Sequence, residues 1–270
     1  MAREKTLGED VQYEGTMGKI DAYLARPEGG KHPGIVMVHE IWGLNDHIKD
    51  VANRLAAEGY VVLAPQLFSS GHVPPGLTEQ KIRRVIAFFA TIPPEKQRDS
   101  QYVQAELAKL PEQERNEVGS LMEKVFNMPH EELTEELSLG VDYLNGLEYV
   151  NGRIGSVGFC FGGAMSGRLA CTGKTDASVI FYGSNPEPIE SVENIRGAVL
   201  GIYGGMDKRI NEGLPELVRA MAEREKAFEM CIYPGAPHAF FNDTAANNYR
   251  EEAAKDAWAR VLTFYSRTLK

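Results

Sequence analysis

The run Gly158-Phe159-Cys160-Phe161-Gly162-Gly163 constrains this chain more tightly than any other stretch of its sequence. Before it lies a short apolar segment of strand character, 153–157, and after it the apolar spacing becomes helical. A strand that turns directly into a helix strains the residue at the corner and needs small neighbours, so that the two elements can close on each other. Glycines at 158, 162 and 163 meet that need, and the side chain left at the apex is a thiol. At the first turn of a helix a thiol also feels the positive end of the macrodipole, which favours the nucleophilic thiolate.

The rest of the chain supplies the frame such a corner requires. Short apolar runs rich in Val, Ile and Tyr, at 20–25, 35–39, 60–64, 153–157, 177–182, 198–203 and 228–233, alternate with segments of helical period at 46–58, 161–171, 214–226 and 247–268. This is the pattern of an α/β fold with a mostly parallel sheet covered by helices on both faces. The charged opening residues, 1–12, carry no strand expectation. With 270 residues, 43% of them hydrophobic, the chain can bury the core of one domain over 1–270.

One stretch breaks the alternation. From 69 to 138 no strand is expected, and helical segments are punctuated by Pro93-Pro94, Pro111 and Pro129, each where a helix can begin. An insertion of this length with its own helices is expected to be a cap over a site, the plainer reading being an external decoration.

Composition excludes several classes of function. A net charge of −9 disfavours nucleic acid and anionic membrane surfaces as partners. Three cysteines, an odd number without paired spacing, argue against a disulfide framework and for a reducing compartment. Cys171 and Cys231 fall in apolar segments and are assigned to packing. The opening residues lack the apolar core of a signal peptide and no run is apolar enough to span a bilayer, so a cytoplasmic location is expected.

Gly158, Cys160 and Gly162 fill the nucleophile-elbow pattern G-x-S-x-G with sulfur in place of oxygen. Where elbows serve acyl transfer, the acid and the histidine follow in that order, on loops after later strands. Asp207 follows the run ending at Tyr203, and His238 follows the run ending at Tyr233. The expected roles are Cys160 as nucleophile, His238 as general base and then acid, and Asp207 as the group fixing the imidazole tautomer. Taken alone, Asp207 reads as a turn residue and His238 as a loop hydrogen bonder.

His32, His47, His72 and His130 fall in polar turns or on helix surfaces, and His39-Glu40 and His130-Glu131 fail the zinc pattern H-E-x-x-H at Gly43 and Thr134, so neither a metal nor any other cofactor is expected. A redox sensor using the same thiol, or a binding module that keeps the fold, stays open on these residues alone.

The chain resembles the dienelactone hydrolase (carboxymethylenebutenolidase) family of α/β-hydrolases, in His39-Glu40-Ile41-Trp42-Gly43-Leu44-Asn45, in Gly158 to Gly163, in the loop carrying Asp207 and in the segment from Tyr233 to Phe240. The resemblance implies a Cys-His-Asp triad acting without cofactor on a small-molecule lactone or ester. It adds Glu40 as a carboxylate beside the thiol that takes part in its activation, and the backbone N–H groups of Ile41 and Phe161 as an oxyanion hole. It points to Trp42 as a pocket residue and to Arg83 and Arg84 as candidate substrate contacts. One departure stands out: Ala239-Phe240-Phe241-Asn242-Asp243 follows the histidine, where family members holding the dienelactone carboxylate carry an arginine.

Overall fold

The strand-to-helix corner sits near the middle of a single eight-stranded sheet. The computed structural model describes residues 6–73, 76–93, 96 and 99–270. The strands are β1 (Thr6–Gly15), β2 (Gly18–Pro27), β3 (His32–Val38), β4 (Val61–Pro65), β5 (Val150–Phe159), β6 (Ala177–Phe181), β7 (Ala198–Gly204) and β8 (Phe228–Tyr233). They lie in the order β1-β2-β4-β3-β5-β6-β7-β8. Only β2 runs antiparallel to its neighbours, and every pairing from β4 to β8 is parallel. β3 pairs with β4 on one side and β5 on the other, so the strand order reverses there, and in such sheets ligands are held beyond the carboxyl ends of the strands at the point of reversal.

Burial on both faces explains why the central strands read as continuous apolar runs: every residue of β4 and β6 is buried. One face is covered by α1 (Asp46–Ala57) and α9 (Glu251–Thr268), whose Val51, Leu55, Val261 and Phe264 pack on Ile35, Val62 and Val179. The other is covered by α5 (His130–Asn145) and α6 (Phe161–Ala170), which bring Leu133, Leu137, Met165 and Leu169 against Val36 and Leu63. Toward the far edge α8 (Leu214–Glu223) buries Leu217 and Met221 against Val199. α1 begins where its residues require it to, with Asn45 accepting the Ile48 N–H at 3.2 Å.

Several expectations are corrected. β1 occupies most of the segment without a strand expectation; it is an edge strand with Tyr13 its one buried residue, so it lacks the apolar run that betrays a covered strand. β5 begins at Val150 rather than 153, and β3 stops at Val38, leaving His39 just beyond the strand. The last helix begins at Glu251 rather than 247, after a loop closed by the Arg250 N–H donating to the Phe240 carbonyl.

Within 69–138 lie α2 (Glu79–Ala90), α3 (Ser100–Leu107), α4 (Glu112–Phe126) and the first half of α5. Pro111 and Pro129 do precede helices; the expectation at Pro93-Pro94 falls in part on residues outside the described ones, and α3 starts at Ser100, capped by Asp99. Packing divides the segment. α2, α3 and α4 share a small core of their own, Val85, Phe88, Val103, Leu107, Val118 and Leu121 among it, while α5 packs on the main sheet and on α6.

Candidate active site

Cys160 has φ 58° and ψ −115°, a left-handed conformation that a non-glycine residue adopts only under strain costing about 1–3 kcal/mol. The strain is held by close backbone packing on every side. The Cys160 N–H donates to the Phe181 carbonyl at 3.0 Å, and a Cβ at Gly162 would collide with the carbonyl oxygens of Val38 and His39. Cys160 thus stands at the first turn of α6, partly exposed, between the ends of β3 and β6.

Asp207 and His238 come to the same rim from two other strand ends. Asp207 follows β7, caps α7 (Lys208–Asn211) through the Ile210 N–H, and accepts a very short hydrogen bond from His238 Nδ1. With its Nδ1 proton committed to a carboxylate, the ring presents Nε2 to other partners. The loop that carries His238 is tied down by Asn248, whose Nδ2 donates to the His238 carbonyl at 2.9 Å, and the ring lies against Tyr182 with centroids 5.0 Å apart. Burial works against the imidazolium, but the negative charge available at Cys160 and the hydrogen bonds to Asp207 and to the thiol outweigh it, and the His238 pKa is pushed up to about 10. The sulfur and the Asp207 carboxylate together therefore favour the charged form of the imidazole.

Glu40 is 2% exposed, and its Oε2 accepts from Asn242 Nδ2 at 2.6 Å. Burial pushes the carboxyl upward, opposed by the Asn242 hydrogen bond and the positive charge available on His238. Its backbone is fixed by the preceding residue. His39 is fully buried, donates from Nδ1 to the Glu40 carbonyl at 2.5 Å, and accepts the Leu67 N–H at Nε2 at 3.2 Å. Only the neutral Nδ1–H tautomer satisfies both bonds, and burial holds the ring neutral, its pKa pushed down to about 4. The Gly43 N–H donates to the same Glu40 carbonyl at 3.2 Å. Because the peptide is planar and trans, anchoring that carbonyl aims the Ile41 N–H the opposite way. The Ile41 N–H donates to no protein acceptor among the described residues, and that of Phe161, first in α6, has no acceptor within its helix.

The remaining expected residues lie outward. The Arg83 guanidinium stacks 4.8 Å over the Trp42 ring and also holds Glu79 at 2.5 Å, while Arg84 reaches Glu117 on α4 at 2.5 Å. Arg83 is thus brought to Trp42, whereas Arg84 is engaged within the helical insertion. Two histidines read as surface residues are not: His47 is 5% exposed with Nδ1 3.2 Å from Asp243 Oδ1, and half-buried His130 lies 5.9 Å from the Phe161 ring.

Three residues at the site escaped sequence reasoning. Asn242 holds Glu40, and His39 orients the peptide between Glu40 and Ile41. Tyr182, at φ 39°, buries a hydroxyl with no hydrogen-bond partner among the described residues, its pKa driven well up by burial and by the charges of Glu40 and Cys160. Tyr182 was visible only as the end of an apolar run, His39 only as a member of the motif shared with the family, and Asn242 only as part of a stretch without an arginine, none of them with a role. Among the described residues no group of three or more His, Cys, Asp or Glu side chains is placed to hold a metal ion, and no helix is long and apolar enough to cross a membrane.

Comparison with known proteins gives this geometry its context. The model of the dienelactone hydrolase family matches residues 20–269. A Saccharolobus solfataricus protein named "Putative carboxymethylenebutenolidase" is 41% identical over 268 residues, covering 98% of this chain and 100% of that one. Among solved structures, a Klebsiella pneumoniae protein titled "Putative Dienelactone Hydrolase" superposes with a TM-score of 0.75 at 23% identity, over 97% of this chain and 99% of that chain. A dienelactone hydrolase-like promiscuous phosphotriesterase, P91 from metagenomic libraries, gives 0.71 at 21% identity, over 98% and 99%. At such identities the structures speak for the fold alone, whereas the family match and the sequence relative extend over nearly the whole chain. The chain belongs to the dienelactone hydrolase family of α/β-hydrolases.

Proposed function

We propose that this protein hydrolyses lactones or small carboxylic esters through a thioester on Cys160, with His238, Asp207 and Glu40 as its partners. The observation that carries the reading is the line Asp207 carboxylate, His238 imidazole, Cys160 thiol at the mouth of a strained elbow. The thiol proton passes to His238, with Glu40 taking part in activation, and the thiolate attacks the carbonyl carbon. Charge develops on the carbonyl oxygen and is met by the N–H groups of Ile41 and Phe161. Collapse breaks the C–O bond, the alkoxide takes the proton from His238, and a thioester remains. Water, losing a proton to His238, attacks the thioester; the carboxylic acid leaves and the thiol is restored.

The same reading assigns α2, α3 and α4 to a cap at the mouth. Ile82 of α2 packs in one cluster with Trp42 and Phe161, and Arg83 covers the Trp42 ring, so substrate passing between cap and elbow meets these side chains. A neutral amide rather than a cation stands behind Glu40, which favours uncharged esters and lactones at the reacting centre.

The test is Cys160→Ala, together with mass spectrometry of wild-type enzyme quenched during turnover of p-nitrophenyl acetate. The variant is expected to lose turnover at an unchanged melting temperature, and the trapped wild-type enzyme to carry one acetyl group on the peptide containing Cys160. Turnover by Cys160→Ala at the wild-type rate would overturn the mechanism.

A further inference from the structure

A buried carboxylate demands a donor, and the donor chosen at Glu40 is unusual in being neutral and itself fixed on both sides. Asn242, 4% exposed, lies in the loop that also carries His238. Its Oδ1 accepts twice from one residue, the Thr244 N–H at 3.0 Å and the Thr244 Oγ1 hydroxyl at 2.7 Å. Two donors on Oδ1 leave a single orientation for the amide, with Nδ2 facing Glu40 Oε2 at 2.6 Å. Rotation of the amide would set oxygen against oxygen and leave both Thr244 donors facing an NH₂ group.

We infer that Asn242 is a positioning residue, whose amide, clamped by Thr244, holds the Glu40 carboxylate in one orientation and supplies the donor that sustains a buried negative charge there. The inference rests on the proposed part of Glu40 in activating the thiol. The other groups facing this carboxylate fit the assignment. His238 offers positive charge from the loop after β8, His39 stays neutral behind it, and the Tyr182 hydroxyl lies within its electrostatic reach. Among these, the Asn242 amide is the one direct hydrogen-bond donor to the carboxylate, so the ionisation of Glu40 depends on it most closely.

The test compares kcat/KM for a p-nitrophenyl ester against pH in wild type, Asn242→Asp, Asn242→Ser and Glu40→Gln, with melting temperatures for each. Asn242→Asp keeps the shape and both Thr244 bonds but places a second carboxylate against the first, and two such groups cannot both ionise readily. Its acid limb is expected to move to higher pH, with kcat/KM at pH 6 lower by about ten-fold or more. Asn242→Ser, too short to reach Glu40, is expected to move the limb the same way by less, and it carries the comparison should the aspartate variant not fold. A wild-type limb in both variants, or a uniform loss of rate at every pH with a lowered melting temperature, overturns the inference. An unaltered pH profile in Glu40→Gln removes the activating role of Glu40 and this inference with it. An altered one beside unaltered Asn242 variants refutes the inference alone.

Discussion

His39 makes this fold acid-sensitive in a defined window. In the folded chain its ring is fully buried, bonded at both nitrogens and neutral, with the pKa pushed down to about 4 from an ordinary value near 6.5. In the unfolded chain the same ring takes up a proton as pH falls below its ordinary value. Between the two values the unfolded state binds more protons, so stability falls as pH falls, and below the folded value the loss is complete. The gap between those values, at about 1.4 kcal/mol per pH unit, comes to about 3 kcal/mol, a large share of the stability of a typical domain. Asn in place of His39 can present an amide donor to the Glu40 carbonyl and does not titrate. Urea unfolding followed by circular dichroism at pH 7, 5.5 and 4 is expected to show wild type losing about 3 kcal/mol more than His39→Asn across that range. Glu40 and the other carboxyl groups are present in both proteins and cancel in the difference. Parallel stability profiles for the two proteins would refute the argument.

Asp207→Asn keeps the shape of the group that orients His238 but removes its charge, and kcat for an ester is expected to fall by about 10³-fold or more with little change in melting temperature. Arg83→Ala is expected to raise KM for an ester bearing a free carboxylate by about five-fold, the scale of one exposed charge contact, while Arg84→Ala, whose partner is Glu117, leaves KM unchanged. Gly162→Ala sets a methyl group against the carbonyl oxygens of Val38 and His39, which belong to backbone that has nowhere to retreat. A calorimetric melting scan is expected to show about 3 kcal/mol or more of destabilisation.

What could be read from the residues depended on whether their work was local. β4 and β6 declare themselves because both of their faces are buried, so that they read as apolar runs in which Ser178 is the one polar residue. β1 is invisible for the converse reason: an edge strand held by backbone pairing to β2 can be almost entirely polar. The extent of the insertion was illegible because Leu133 and Leu137 of α5 carry the same spacing as Val118, Leu121 and Met122 of α4. Only the packing reveals that the first pair serves the sheet and the others a separate core.

The candidate site divides along the same line. Cys160, Asp207 and His238 each stand just past a strand end, so strand boundaries and chain order suffice to assemble them as a hypothesis. Asn242 and Glu40 are 202 residues apart, and neither residue's neighbours hint at the other. Their contact exists because the loop after His238 is pinned by Asn248 and by the bond from Arg250 to Phe240, which set where Asn242 lies. The loop that delivers the imidazole also delivers the amide behind Glu40. A change in its length or anchoring should therefore disturb both groups together, even where every residue of the triad is retained.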